Sequence, residues 1–111
     1  MKLTEKELEV MDVLWESKIP MTVSDILEKT KGTRSWSSKS IYTLIGYLEK
    51  KGAIRVARSC PTNENYAKAY EATISCLEFM VKTAYGISKT RKHGVSADAY
   101  IEAIRNMWGN E

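Results

Sequence analysis

The chain has 111 residues, of which 43% are hydrophobic and 28% are charged, and its formal net charge is +3. This length predicts one domain with a modest core and room for an appended arm. No apolar run is long enough to cross a bilayer and no signal peptide opens the sequence, so we expect a cytoplasmic protein without membrane insertion. Cys60 and Cys76 form no CxxC pair, and we expect both to be reduced thiols.

Catalytic and metal-binding patterns are missing from the sequence. The chain has a single histidine, which has no neighbours at metal-ligand spacing. The sequence contains no nucleophile motif, no glycine-rich phosphate loop and no paired carboxylates on one helical face. We therefore expect a protein that is not an enzyme, holds no metal and needs no cofactor.

Charge is distributed unevenly along the chain. Residues 29–58 carry eight cations and one anion, Glu49, whereas the rest of the chain carries nine cations and thirteen anions. The eight cations are Lys29, Lys31, Arg34, Lys39, Lys50, Lys51, Arg55 and Arg58. A basic surface of this kind attracts the phosphate backbone of nucleic acids and releases counterions on contact.

Two helices are predicted near the start of the chain. Thr4, with Glu7 three residues later, forms a capping box for a first helix that runs to about Ser17. Thr22 and Asp25 repeat the cap for a short second helix. Their predicted core residues are Leu8, Met11, Leu14, Trp15, Ile26 and Leu27.

The segment from Ser35 to Gly52 predicts a third helix with two opposed faces, capped by Ser37. One face carries an apolar core stripe, which consists of Ile41, Leu44, Ile45 and Leu48. The opposite face carries no acid, and its residues are Lys39, Tyr42, Thr43, Gly46, Tyr47 and Lys50. Cationic and hydrogen-bonding groups around a small residue suit a helix that lies in the major groove of DNA.

A β-hairpin is predicted directly after this helix. Residues 53–58 and 66–72 alternate in polarity as half-buried strands do, and residues 59–65 have the composition of a loop. Three helices and a hairpin is the order of a winged helix, in which the hairpin, or wing, lies along the DNA backbone. The predicted fold class is mostly α with a small β-hairpin: a winged helix-turn-helix followed by C-terminal dimerisation helices.

A helical arm is predicted over residues 74–111, after a DNA-binding domain formed by residues 1–73. Residues 75–85 form a helix with more apolar surface than one core needs, so the same helix of a second subunit is the simplest partner. A basic linker over residues 86–94 precedes a last amphipathic helix, which Ser96 caps. The predicted dimer interface consists of Leu77, Phe79, Met80, Val81, Tyr85, Tyr100, Ile101, Ile104 and Trp108.

Three segments resemble the penicillinase-repressor (BlaI/MecI/CopY) family of winged-helix transcriptional repressors. Residues 3–15, LTEKELEVMDVLW, resemble the opening pattern ELEVM-x-[VIL]-[LI]-W, and residues 23–27 resemble the short second helix. Residues 36–52, WSSKSIYTLIGYLEKKG, resemble the pattern W-[ST]-x-[KR]-T-[VI]-x-T-L-[LI]-x-R-L-x-[KR]-K-G. The resemblance extends from residue 3 to about residue 85.

Members of this family are dimeric repressors of palindromic operators at β-lactamase, methicillin-resistance or copper-handling genes. The resemblance therefore implies that the third helix faces double-stranded operator DNA, that the wing carries Arg55 and Arg58, and that the arm holds a homodimer. Ser37 lies at the helix N-terminus, where a phosphate would bind. The predicted DNA-binding residues are Ser37, Lys39, Ser40, Tyr42, Thr43, Gly46, Tyr47, Lys50, Arg55 and Arg58.

The chain departs from the family pattern in its recognition helix and in its arm. Tyr47 stands where the family usually has a DNA-contacting arginine, and a tyrosine cannot bind guanine in a bidentate manner, so the operator sequence stays open. In the family, proteolysis in the arm or metal binding by cysteines relieves repression. The chain has no recognisable cleavage motif and no CxC pair, so the sequence leaves open whether an upstream sensor or protease relieves repression. The alternative is a winged-helix module that binds protein and contacts nucleic acid only weakly.

Overall fold

The computed structural model of the protein describes residues 1–61, 66–90 and 96–108. Within these residues the elements are, in order, α1 (Glu5–Glu16), β1 (Met21–Thr22), α2 (Val23–Thr30), a 3-10 turn (Ser38–Ser40), α3 (Ile41–Lys51), β2 (Ile54–Pro61), β3 (Tyr66–Ala72), α4 (Cys76–Thr90) and α5 (Ala97–Trp108). Residues 1–76 and residues 77–111 form two compact units. No helix in the described part of the chain combines the length and apolarity needed to cross a membrane.

Helices α1 and α2 both begin at the predicted capping boxes. Thr4 N donates to Glu7 Oε1 at 2.8 Å, and Thr4 Oγ1 accepts from Glu7 N at 3.2 Å. Thr22 and Asp25 exchange the same pair of hydrogen bonds, at 3.0 and 3.2 Å. These bonds satisfy backbone N–H groups that a first helical turn leaves without partners, so both helix starts are confirmed.

Helix α3 begins later than predicted, because a 3-10 turn over residues 38–40 precedes it. Ser37 makes no side-chain cap bond, and the prediction that it caps the helix is wrong. The turn closes instead through the backbone, where Ser40 N donates to Ser37 O at 2.9 Å. At the other end, Gly52 has a φ of 79°, a left-handed conformation that glycine adopts without a Cβ clash and that ends the helix as predicted.

A three-stranded antiparallel sheet has the order β1–β3–β2. The sequence does not predict β1, whose two residues pair with Tyr70 and Ala69. Strand β2 extends to Pro61, so residues 59–61, expected in the loop, belong to the hairpin ladder. The remainder of the predicted loop, residues 62–65, lies outside the described residues. Helices α1–α3 with this sheet and hairpin are a winged helix, as predicted.

The hydrophobic core lies between the three helices and the sheet. Its members are Val10, Met11, Leu14, Met21, Ile26, Trp36, Ile41, Leu44, Ile45, Leu48, Ala53, Ile54 and Tyr70. The whole apolar stripe of α3 is therefore buried as predicted. Leu8, Trp15 and Leu27 are half-buried rather than buried. The indole of Trp15 lies where its Nε1 donates to Ile74 O at 2.9 Å, which holds the ring at the core edge.

The second unit contains most of α4 and all of α5. Helix α4 continues to Thr90, so the predicted linker over residues 86–94 is wrong for residues 86–90. A single glycine, Gly86, lowers helix propensity by about 1 kcal/mol but does not end a helix. The rest of that linker, residues 91–94, lies outside the described residues. Helix α5 begins as predicted, with Ser96 Oγ accepting from Ala99 N at 3.2 Å.

Candidate nucleic-acid interface

Helix α3 presents one face to the core and the opposite face to solvent. The four residues of its apolar stripe are at most 7% exposed. On the outer face, Tyr42 is 71% exposed and Tyr47 is 55% exposed. Lys39, Thr43, Gly46 and Lys50 are exposed as well. Five of these residues share one accessible surface of α3, and Lys39 lies in the 3-10 turn just before it; we call the six together the outer face of α3.

The C-terminal end of α3 is attached to α1 by a buried ion pair. Lys51 Nζ lies 2.6 Å from Glu7 Oε1 and donates to Lys2 O at 2.9 Å. The Glu7 side chain is only 1% exposed. Burial by itself raises the pKa of Glu7, but the Lys51 ammonium and the Thr4 hydrogen bonds outweigh it, so the pKa lies below its ordinary value. The carboxylate thus stays charged and fixes where the last turn of α3 sits.

The segment before α3 is held by a side chain of α1 and a backbone carbonyl of α2. Ser35 donates to the Glu9 carboxylate from its hydroxyl and, at 2.9 Å, from its backbone N–H. These two bonds lower the pKa of Glu9. Arg34 Nη1 donates to Leu27 O at 3.0 Å, and its guanidinium lies 5.4 Å from the ring centroid of Trp36. Both ends of α3 are therefore attached to the rest of the winged helix.

The wing carries Arg55 and Arg58 on the same face of the sheet. Strict alternation would place residues three apart on opposite faces. The ladder shifts between Val56 and Arg58, so Ala57 is an extra residue and both arginines face the side of their partners Glu71 and Ala69. A bulge of this kind re-aims every side chain that follows it. No feature of the sequence predicts the bulge at Ala57.

The two wing arginines differ in how much of their charge is available. Arg55 Nε donates to Glu71 Oε1 at 2.9 Å, directly across the ladder. Arg58 is exposed and has no ion-pair partner within the described part of the chain. The charge of Arg58 is therefore more available to an outside partner than that of Arg55.

The basic segment keeps most of its charge accessible. Of its eight cations, Lys51 and Arg55 are ion-paired and Arg34 binds backbone and ring atoms. Within residues 1–61, 66–90 and 96–108, the other five have no ion-pair partner: Lys29, Lys31, Lys39, Lys50 and Arg58. Three of these five belong to the outer face of α3 or to the wing. The surface expected to meet phosphate groups is thus not neutralised by the protein itself.

Two serines close to α3 form a local pair. The Ser37 and Ser40 hydroxyls lie 3.1 Å apart, with Ser37 exposed and Ser40 half-buried.

The phenol of Tyr70 lies below the outer face in the core, where burial first, and then Glu49 and Tyr42, raise its pKa. No three metal-ligating side chains come together in the described part of the chain.

Sequence reasoning missed the residues that position this surface. Glu9 and Glu71 carry no signal beyond ordinary surface acids, although each binds a residue of the basic segment. Glu7 was recognisable as a capping residue, but its pairing with Lys51 joins positions 44 apart in the chain. Such partners follow from the tertiary fold and not from local spacing.

The predicted dimer residues are only partly exposed. Leu77 is 73% exposed, Met80 58%, Tyr85 45% and Ile101 42%. Val81 and Ile104 are half-buried, and Phe79 is only 9% exposed, so most of its side chain is already covered within the chain. The side chains of Tyr100 and Trp108 lie outside the described residues. Met107, which the sequence did not single out, is 71% exposed.

Solved structures with a similar arrangement are bacterial regulators. A chain described as "Structure of Prokaryotic Transcription Factors" matches with a TM-score of 0.52 and 18% identity, over 66% of this chain and 56% of that one. The iron-bound ferric uptake regulator of Francisella tularensis matches with a TM-score of 0.51 and 20% identity, over 65% and 53%. The match thus spans only about half of each of these chains. At such identities the likeness bears on the winged-helix fold alone.

Sequence comparisons are more specific. The methicillin resistance regulatory protein MecI of Mammaliicoccus sciuri is 30% identical over 115 residues, which cover 96% of this chain and 92% of that protein. MecI of Staphylococcus aureus strain N315 is 29% identical over the same shares of the two chains. The penicillinase repressor of Bacillus licheniformis is 34% identical over 53 residues, 48% of this chain and 41% of that one.

The family profile described as "Penicillinase repressor" matches residues 3–104, which include the three helices, the wing and most of the C-terminal helices. The predicted resemblance stopped near residue 85, so the match extends further along the arm than the sequence motifs did. Since the profile covers most of the chain and a near full-length relative is 30% identical, the chain belongs to the penicillinase repressor family.

Proposed function

We propose that this protein is a transcriptional repressor that binds a palindromic operator as a homodimer. The observation that supports it most is the outer face of α3, whose six residues are exposed and not acidic, beside a helix fixed at both ends; the one acid of α3, the exposed Glu49, borders this face next to Tyr42. A rigid helix with cationic and hydrogen-bonding side chains fits the major groove and its base edges. In this proposal α3 reads the groove, while the wing and the Ser37 region bind phosphates.

The proposed homodimer rests on the apolar surface of the second unit. Leu77 and Met80 are each more than half exposed on α4. Exposed apolar side chains at this density are typical of a surface that another protein chain covers. Two-fold symmetry would place two copies of α3 on half-sites separated by whole helical turns, about 10 bp each.

The regulated gene that we propose is a β-lactam-resistance or related stress gene. This part of the proposal rests only on the relatives, which include methicillin resistance regulators and a penicillinase repressor. An upstream sensor or protease that relieves repression is also proposed, and this proposal likewise rests only on the similarity to these relatives.

A salt titration of DNA binding tests the proposed function. The full chain is titrated against the promoter duplex of the neighbouring operon and against random duplex, with fluorescence anisotropy at two salt concentrations. A repressor gives a steep fall of affinity with salt and a clear preference for the palindrome. Weak binding to every duplex would instead support the protein-interaction module.

Variants on the outer face test which helix reads the DNA. Lys39→Ala and Thr43→Ala should each weaken operator binding without changing stability, since both side chains are exposed. Lys18→Ala removes the same charge as Lys39→Ala, from an exposed position in the loop after α1, and serves as its matched control. If the two α3 variants bind the operator as tightly as the Lys18 variant, then α3 is not the recognition helix.

A further inference from the structure

Gly46 lies at the centre of the outer face of α3 without any structural need for glycine. It occupies the interior of the helix, and it is not among the described glycines with a left-handed backbone. A Cβ added there would meet nothing within 4 Å. Glycine is the least favourable residue in a helix interior after proline, so alanine would stabilise this fold. The described structure of the free protein thus offers no reason for glycine at this position.

The missing side chain leaves a notch in the outer face. Tyr42 and Thr43 lie one turn before Gly46 and Lys50 one turn after it, so they border it on the helix surface. Since no side-chain atom of these three residues lies within 4 Å of the added Cβ, none of these side chains folds over the notch. Tyr42 contributes an aromatic ring and Thr43 a methyl group to this part of the helix surface. The notch is thus open, small and partly apolar.

The major groove offers one group that fits such a notch. Guanine, cytosine and adenine present hydrogen-bonding atoms there, whereas thymine also presents its C5 methyl group. We propose that the notch over Gly46 receives the C5 methyl group of a thymine, so that Gly46 specifies one A·T pair in each operator half-site. This inference rests on the proposed function, because it requires α3 in the major groove.

Removal of a single methyl group from the DNA tests the proposal. An operator duplex is selected from a random library with the full-length protein. Each thymidine of one half-site is then replaced in turn by deoxyuridine, which lacks only the C5 methyl group. At one position the wild-type affinity should fall about fourfold, the effect of one buried methyl group. If no position shows a loss, the proposal is overturned.

Gly46→Ala supplies the complementary change in the protein. The added methyl group fills the notch, so affinity for the thymine duplex should fall about tenfold through overpacking. The same variant should melt about 4 °C higher because its helix is more stable. On the deoxyuridine duplex, the Gly46→Ala defect should largely disappear, since one methyl group replaces the other. Additive effects of the two changes would overturn the proposal.

Gly86→Ala is the matched control. Gly86 lies inside α4, and its added Cβ also meets nothing within 4 Å. This variant should gain thermal stability and keep wild-type affinity for both duplexes. Specific wild-type binding combined with independent methyl effects would overturn the inference about Gly46 alone. Failure of the wild type to bind any duplex specifically would overturn the proposed function, and this inference with it.

Discussion

Replacement of Lys51 by methionine should weaken the attachment of α3 to α1, whereas the same change at Lys50 should not. Lys51 Nζ lies 2.6 Å from Glu7 Oε1, while Lys50 is exposed and has no ion-pair partner among the described residues. The two lysines are adjacent and carry the same charge. Comparison of the two variants therefore separates the local ion pair from the long-range electrostatics of the basic segment.

The expected cost follows from the burial of the two partners. Breaking a fully buried ion pair costs about 3–5 kcal/mol, because one charge is left without compensation. The Glu7 side chain is 1% exposed, but that of Lys51 is 35% exposed, so solvent screens the pair. We therefore expect Lys51→Met to lower the free energy of unfolding by about 2 kcal/mol. Lys50→Met should change it by less than about 0.5 kcal/mol.

The pH dependence provides a second test of the same pair. The pKa of Glu7 in the folded wild type lies below its ordinary value of 4.5, so its stabilisation is present above that value and is lost as pH falls through the folded pKa. Without Lys51, burial should raise the folded pKa, and the ionised carboxylate should then destabilise the fold as pH rises. The stability difference between wild type and Lys51→Met should therefore narrow from about pH 7 to about pH 4.

Urea unfolding followed by tryptophan fluorescence measures these free energies at both pH values. The double variant Glu7→Gln/Lys51→Met completes a cycle that isolates the coupling between the two side chains. Two results would contradict the stabilising role of the Glu7–Lys51 ion pair. One is a loss of unfolding free energy in Lys51→Met that does not change with pH, and the other is an equal loss in Lys50→Met.

Three further predictions concern the wing, the core edge and the arm. Arg58→Gln should lower operator affinity and reduce the salt slope by about 1, whereas Arg55→Gln should do so less because Glu71 lies 2.9 Å away; equal slopes would contradict this. Trp15→Phe should cost about 1 kcal/mol in urea unfolding, the value of its hydrogen bond at 2.9 Å, and an unchanged midpoint would count against it. Leu77→Glu should give a monomer in sedimentation and weaker operator binding through lost bivalency. A variant that sediments as a dimer would remove this face from the interface.

Features that depend on neighbours in the sequence were predictable. The capping boxes at Thr4 and Thr22 require only a partner three residues later, and both form as expected. The apolar stripe of α3 follows from helical periodicity, and the structure buries it completely. Because the outer face is the complement of that stripe, its residues could also be assigned from the sequence.

Features that depend on distant partners were not predictable. Strand β1 consists of Met21 and Thr22, and it exists only because β3 passes beside it. The extra residue Ala57 turns Arg58 to the face of Arg55, although alternation predicts the opposite. Ser37 resembled a helix cap in the sequence, but its side chain makes no cap bond. The Ser40 N–H instead donates to the Ser37 backbone carbonyl in the 3-10 turn. In the first two cases tertiary pairing overrides a local pattern, and in the third a local backbone hydrogen bond replaces the expected side-chain cap.

In the proposed function, the outer face of α3 lies against DNA bases. Photo-crosslinking tests it most directly, with p-benzoylphenylalanine introduced in place of Tyr42 and, as a control, in place of Asp12, which is exposed on α1. We expect the variant with the probe at position 42 to crosslink to a base in the major groove of the operator. The variant with the probe at position 12 should give no crosslink. A crosslink from position 12 in the absence of one from position 42 would contradict it.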